Sequence, residues 1–327
     1  MTTQQTVPRC TGTHWPVVGR GRIGCAEVRK VEAETRTFRA LDYRYGGGWC
    51  RDAVAAQLGW ALRLLDADCS AAVRAALCSA LADLAGLAGW TAFDSGRPVV
   101  AHAWLDRAVA LATEGADDAL LSTLRYRQGR VFLHHDAPHE ALESFGRGVA
   151  AAESGGCVLM LSVLAANQAW AHAKLGDVRP ALAALGRAAD AFERADAADA
   201  PASARFFGET DLAAMAGTVY VELAAAADAA YAAMAVSELT RVVARYGDGM
   251  ARSRSLCATM LATSHLIAED VDEAAVTADR ALTEAMTLNS QRFRDRLAPL
   301  ERQARLRRAN PAARDLAGRV AEFRAAA

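Results

Sequence analysis

The segments AHAWLDRAVALA (Ala101–Ala112), ALESFGRGVAAA (Ala141–Ala152) and ALAALGRAADAF (Ala181–Phe192) start 40 residues apart and align position by position. Each opens on alanine. Leu105, Phe145 and Leu185 follow at the fifth place, Arg107, Arg147 and Arg187 at the seventh, and Ala108, Gly148 and Ala188 at the eighth. Upstream of each segment, 12 residues before its first alanine, stands another small residue: Gly89, Gly129 or Ala169. A fixed period of this size marks a repeat architecture, in which each unit buries its apolar face against the next. Each unit reads as helix A, a turn and helix B. Small residues suit the point where A crosses B, because only Gly or Ala lets two helix backbones approach to about 8 Å. The larger fifth residue is expected to fill the space between successive hairpins.

Turn chemistry agrees with that division. Ser95-Gly96-Arg97-Pro98 separates the first pair, Asp136-Ala137-Pro138 the second, and Gly176-Asp177 the third, with Pro180 just beyond. Proline fits the first turn of a helix, where its missing N–H has no partner to lose. A fourth pair is placed on Gly217 and Ala229 and a fifth on Ala262 and Ala274, with the turn Glu269-Asp270-Val271-Asp272. Before the repeats, Val28, Val31, Phe38 and Leu41 give the segment from Ala26 to Tyr45 an apolar helical stripe, which Gly46-Gly47-Gly48 stops. The expected organisation is an arm over residues 1–22, an N-terminal helical segment over 23–80, five repeats over 81–290 and capping helices over 291–327. The fold class is all-α: an α-solenoid of helical hairpins with an N-terminal helical extension.

Composition narrows the function. Net charge is −1 over 327 residues, so no global field draws the chain to nucleic acid or to an acidic membrane. Only Lys30 and Lys174 among 37 basic residues are lysine, a bias typical of a GC-rich genome such as an actinomycete's. The odd set of seven cysteines contains no CxxC and reads as buried free thiols in a reducing cytoplasm. MTTQQTVPRC at the start lacks a signal peptide's apolar core. The most apolar stretch, Leu212 to Val236, is broken by Glu222 and Asp228 and reads as a packed helix pair, not a membrane span.

The repeat positions match the tetratricopeptide pattern: a small residue in helix A, a small residue early in helix B, an aromatic or leucine four later and an alanine three after that. The period of 40 exceeds the usual 34 and implies longer helices. FRALDYRYGGGWCRDAVAAQL (Phe38–Leu58) and LAGLAGWTAFDSG (Leu84–Gly96) further resemble the C-terminal region of a group of actinomycete helix-turn-helix transcriptional regulators. In that group a DNA-binding domain precedes this region. The stretch of about 22 residues ahead of it here shows no helical periodicity, so direct DNA binding is not expected from this chain alone.

Tetratricopeptide proteins hold a peptide or partner segment on the concave face lined by the A helices. Carried over by position, the resemblance implies a groove formed by Trp90 and Asp94, then Tyr126, Arg130 and His134, then Asn167, Trp170 and Lys174, then Thr218 and Glu222, and finally Thr263. Trp90, Arg130 and Trp170 share one register, and aromatic and arginine side chains dominate binding energetics. The expected role is a non-enzymatic adaptor or regulator that binds a protein or peptide in a transcriptional or signalling circuit. The alternative is a transcription regulator acting on DNA through a partner or a domain outside this chain. The N-terminal helices offer a face for homodimerisation. His134-His135-Asp136-x-x-His139 holds zinc-type ligands, but the intervening proline turn keeps them from converging, so no metal or cofactor is expected. The tail QRFRDRLAPLERQARLRR (Gln291–Arg308) carries seven arginines and reads as a solvated capping helix. No nucleophile elbow, phosphate loop or zinc-protease motif is present.

Overall fold

A computed structural model of the protein describes residues 21–196, 198, 200, 204–286 and 290–326. The arm expected over residues 1–22 lies outside them up to residue 20, as does Cys10. The described residues contain no strand. Their helices are α1 (Cys25–Tyr45), α2 (Arg51–Ala61), α3 (Ala71–Asp94), α4 (Pro98–Glu114), α5 (Asp118–His134), α6 (Pro138–Ser154), α7 (Val158–Lys174), α8 (Val178–Arg194), α9 (Glu209–Ala226), α10 (Tyr231–Arg245), α11 (Ala251–Ile267), α12 (Val271–Ala285), α13 (Gln291–Arg296), α14 (Ala298–Leu306) and α15 (Pro311–Ala325).

The 40-residue period has a simple cause. Helices α4 to α8 are each 17 residues long and are joined by three-residue turns, so the true unit is one helix plus one turn, 20 residues. Each helix therefore runs about 25 Å. The middle turn residue has positive φ every time: Gly96 (72°), Ala116 (52°), Asp136 (59°), Gly156 (63°) and Gly176 (77°). The next N–H then reaches back five residues, as in Arg97 to Ala92 O (2.9 Å), Asp117 to Ala112 O (3.0 Å) and Ala137 to Phe132 O (3.0 Å). This left-handed helix stop satisfies the carbonyls that the helix end leaves open and folds the chain back antiparallel.

Within the hairpins the small residues are obligatory. A Cβ on Gly129 would lie 2.2 Å from Phe145 Cε1, and one on Gly89 would lie 2.7 Å from Leu105 Cγ and 3.1 Å from Ala101 O. Leu105 and Phe145 therefore pack inside their own hairpins, under the glycine. The expectation that they fill the space between hairpins is corrected. Between hairpins, Gly148 takes the side chain of Leu164.

The fourth hairpin corrects a register. Ala229 is exposed in the turn, whereas Ala235 and Leu239 are buried, and Leu239 is the side chain that meets Gly217. Helix α9 extends nine residues past Gly217, against five for α3 past Gly89. The anchor on helix B moves downstream accordingly. In the fifth hairpin Ala274 is buried, as expected. Helix α3 runs unbroken through residue 80, so the N-terminal segment and the first repeat share one helix.

From α3 to α12 the odd-numbered helices lie inside and the even-numbered ones outside. Helix α8 buries only the stripe Ala181, Ala184, Ala188 and Ala191, while α7 is buried along most of its length. Helix α3 is long and apolar enough to cross a membrane, but 56% of that window is buried as the core of the first hairpin. Among the described cysteines none is bonded; Cys50, Cys78, Cys157 and Cys257 are buried, Cys69 is half-buried and Cys25 is exposed. The superhelix closes on itself. Helix α1 packs on α3 and also meets the short 3₁₀ turn Asp248–Met250, while α13 packs against both α3 and α11.

Candidate binding site

Closure of the superhelix leaves a half-open cavity of about 210 Å³ on the inner face. Its walls come from α1, α3, α5, α7, α9, α11 and α13, from the loop that carries Phe206 and Phe207, and from Tyr246, Gly249 and Met250 between α10 and α11. Among the described residues no even-numbered helix contributes.

One rim is an ion network built on Asp94, which is fully buried at the end of α3. Its Oδ2 accepts the Gly47 N–H at 2.9 Å and lies 3.3 Å from Arg252 Nη1, while its Oδ1 accepts Ser290 Oγ at 2.9 Å and Arg292 Nε at 3.0 Å. Arg252 also sits 3.5 Å from Asp42 Oδ1. Thus one carboxylate ties the glycine loop after α1, the last repeat and α13 together. Gly47 allows this because a Cβ there would stand 2.8 Å from Thr91 Cα. Burial opposes the charge on Asp94, but Arg292, Arg252 and the two hydrogen-bond donors outweigh it and hold the carboxyl below its ordinary range. Asp42 is pushed upward by burial, with Arg252 opposing.

The central wall is a ladder of rings and guanidiniums. Arg292 lies 4.8 Å from the Trp90 ring and 5.4 Å from Phe93. Arg130 lies 4.9 Å from the Trp170 ring, and Arg296 lies 4.6 Å from the same ring. The Trp170 indole donates to Glu222 Oε1 at 2.9 Å, which fixes the ring's orientation. Phe206 stacks on Tyr126 with centroids 5.5 Å apart. Beside the ladder, Asn167 is 1% exposed; its Nδ2 donates to Val163 O, and its Oδ1 has no partner.

Of the expected groove residues, Trp90, Tyr126, Arg130, His134, Asn167, Trp170 and Thr218 line this cavity. The others stand off it. Asp94 is an internal hub, Glu222 backs Trp170, Lys174 pairs with Asp136 at 2.9 Å, and Thr263 donates to Thr259 O of its own helix at 2.8 Å. His134 is the last residue of α5. Its side chain is 8% exposed, with Nε2 3.0 Å from Asp295 Oδ2, and burial lowers its pKa against the pull of that carboxylate. Among the described residues no three His, Cys, Asp or Glu side chains converge as a metal site requires.

The tail corrects a further expectation. The solvated capping helix is instead split in two, and α13 enters the groove with Arg292 (7% exposed) and Phe293 (2%) buried. Arg292 and Arg296, four apart on one face, and the apolar run Phe293, Leu297, Leu300 are the signals that could have revealed this. An arginine-rich helix with a continuous apolar stripe has one face to bury. Arg39, Arg127 and Arg252 carried no such pattern, because each enters the cavity from a different helix.

Fold and site together define an all-α helical-repeat protein with a closed inner face. The crystal structure of BtubC (BKLC) from P. vanneervenii is similar to it, with a TM-score of 0.50 at 16% identity over 72% of this chain and 89% of that one. At that identity the likeness concerns the fold alone. No family model matches the chain, and no curated protein matches it.

Proposed function

We propose that this protein is a non-enzymatic binding module of tetratricopeptide type, which receives a short peptide segment in the cavity beside Trp170 and passes the bound state on to a regulatory circuit in the cytoplasm. The observation that carries this reading is the composition of the cavity wall. An aromatic–arginine ladder adjoins a buried amide oxygen with no partner, and a buried acceptor left open costs about 1–3 kcal/mol until something donates to it. A peptide backbone supplies such a donor. A half-open cavity of about 210 Å³ admits only the end of a segment, so the occupant is a short peptide whose remainder lies across the mouth, and not a folded partner. Coupling follows from the wall's construction: α5 and α7 come from the middle of the solenoid and α13 from its end, so a ligand touching both favours the closed superhelix over an open one. The circuit is transcriptional in this reading, on the resemblance of Phe38–Leu58 and Leu84–Gly96 to regulators of that kind. The Gly47–Asp94 hydrogen bond joins those two segments. DNA would then be reached through a partner, and the N-terminal helices remain the face proposed for self-association.

The test is retention from a synthetic library of peptides four to eight residues long by the wild type and by an Arg130→Glu/Trp170→Ala variant of unchanged helicity. Selective retention by the wild type supports the reading. Equal retention by both removes binding from the cavity.

A further inference from the structure

We infer that the ligand presents a carboxylate to this cavity, held between Arg130 of α5 and Arg296 of α13. The inference rests on the reading of the cavity as a ligand site and goes on to name the ligand's chemistry. Two half-buried guanidiniums flank one indole, at 4.9 and 4.6 Å from its centre. Neither has a carboxylate within 4 Å among the described residues. The contact made by Arg130 is to Tyr126 Oη at 3.2 Å, and that made by Arg296 is to Met260 Sδ at 3.5 Å. These are weak substitutes for an anion, and a guanidinium drawn from water without one is costly. Elsewhere on the same wall Arg252 and Arg292 share Asp94 and Arg39 pairs with Asp83 at 2.6 Å, while Arg127 has no ion pair of its own among the described residues. Arg130 and Arg296 are set apart by sharing one ring, that of Trp170, with no carboxylate paired to either among the described residues.

Charge selects the kind of anion. Arg130 and Arg296 are the cations beside Trp170. The acid beside them is Glu222, which accepts from the Trp170 indole. Two cations against one acid leave room for one negative charge. A carboxylate supplies one and a phosphate more than one. A planar carboxylate also matches the planar guanidinium fork. Apolar side chains, Met215, Leu256 and Met260 among them, also line the cavity, so the carboxylate is carried on an apolar body. The C-terminus of a short apolar peptide and a free aromatic acid share this chemistry.

Tryptophan fluorescence and thermal melting of the full chain, titrated with four probes, decide the matter. The probes are a pool of apolar tetrapeptides with free C-termini, the same pool amidated, benzoate, and inorganic phosphate. The expected result is saturable quenching and a raised melting midpoint with the free-acid pool, and binding at least tenfold weaker with the amidated pool. Arg130→Gln and Arg296→Gln should each weaken the free-acid pool tenfold or more, and Arg130→Lys should recover part of the loss. If a variant fails to fold, the comparison of free and amidated pools on the wild type still decides. Equal binding of the two pools overturns the carboxylate and leaves the peptide reading standing. Benzoate binding without peptide binding upholds the carboxylate and overturns the peptide. Phosphate binding tighter than both overturns the carboxylate. Silence from all four probes overturns both readings.

Discussion

Two small residues in this chain sit under opposite constraints, and substitution should separate them. Gly129 faces the ring of Phe145, which is completely buried and has nowhere to move. Gly129→Ala is expected to cost about 2–3 kcal/mol, the penalty of overpacking a closed core, read as a lower denaturation midpoint. Ala116 is the reverse case. It is exposed in its turn and held at φ 52°, a conformation that costs an L-residue roughly 1–2 kcal/mol. Ala116→Gly relieves that strain but loosens the unfolded chain, so a net gain of about 0.5–1 kcal/mol is expected in the same measurement. An unchanged midpoint for both would contradict the packing and turn geometry described above. Gly96, Gly156 and Gly176 already occupy the equivalent positions.

At the scale of elements, α13 is the most consequential helix and the shortest. Six residues have little helical stability of their own, so its place depends on docking. Ser290 serves both needs, accepting the Phe293 N–H at 3.2 Å as the helix cap and donating to Asp94 at 2.9 Å. Ser290→Ala should therefore cost about 1–2 kcal/mol, by loss of a cap and of a bond to a charged group. The loss should show as faster amide exchange over residues 291–296, with the middle hairpins unaffected. Uniformly faster exchange across the chain would mean that α13 is not a separately docked element. The fourth hairpin shows what length does at this scale. Its longer α9 moves the helix B anchor from Ala229 to Ala235, yet the Gly217–Leu239 contact restores the same crossing.

For the whole molecule the question is what keeps the superhelix closed. Asp94 is the shared partner of α1's glycine loop, α11 and α13. Removing one member of a buried ionic network costs about 3–5 kcal/mol, because the remaining charges stay buried without a partner. Asp94→Asn is expected at the low end of that range, since Asp42 still faces Arg252. Its pH dependence is informative. The folded-state pKa of Asp94 lies below the ordinary 3.8, so its contribution is fully present above the unfolded value and is lost as pH falls through the folded one. Asp42, raised by burial, contributes with the opposite sign. Wild type should lose stability on acidification below about pH 4, and Asp94→Asn should show a flatter profile there. Chemical denaturation between pH 7 and pH 3 measures both. Equal slopes for the two proteins would remove Asp94 from the closure.

The helical hairpins and their period were legible in the chain, because turn and crossing residues recur at fixed spacing and helix length is a local property. The inner register of Trp90, Arg130 and Trp170 was legible for the same reason: residues 40 apart in a 20-residue unit fall on equivalent faces. What the tail does was not. Arg292 and Arg296 look like surface charge until the superhelix has turned far enough to bring α13 against α3, some 200 residues away in sequence. Asp94 likewise reads as a groove residue until Gly47, Arg252 and Arg292 close around it. Local pattern determined each hairpin, and the accumulated rotation of one hairpin on the next, which no single repeat encodes, decided which charges met and where the cavity formed.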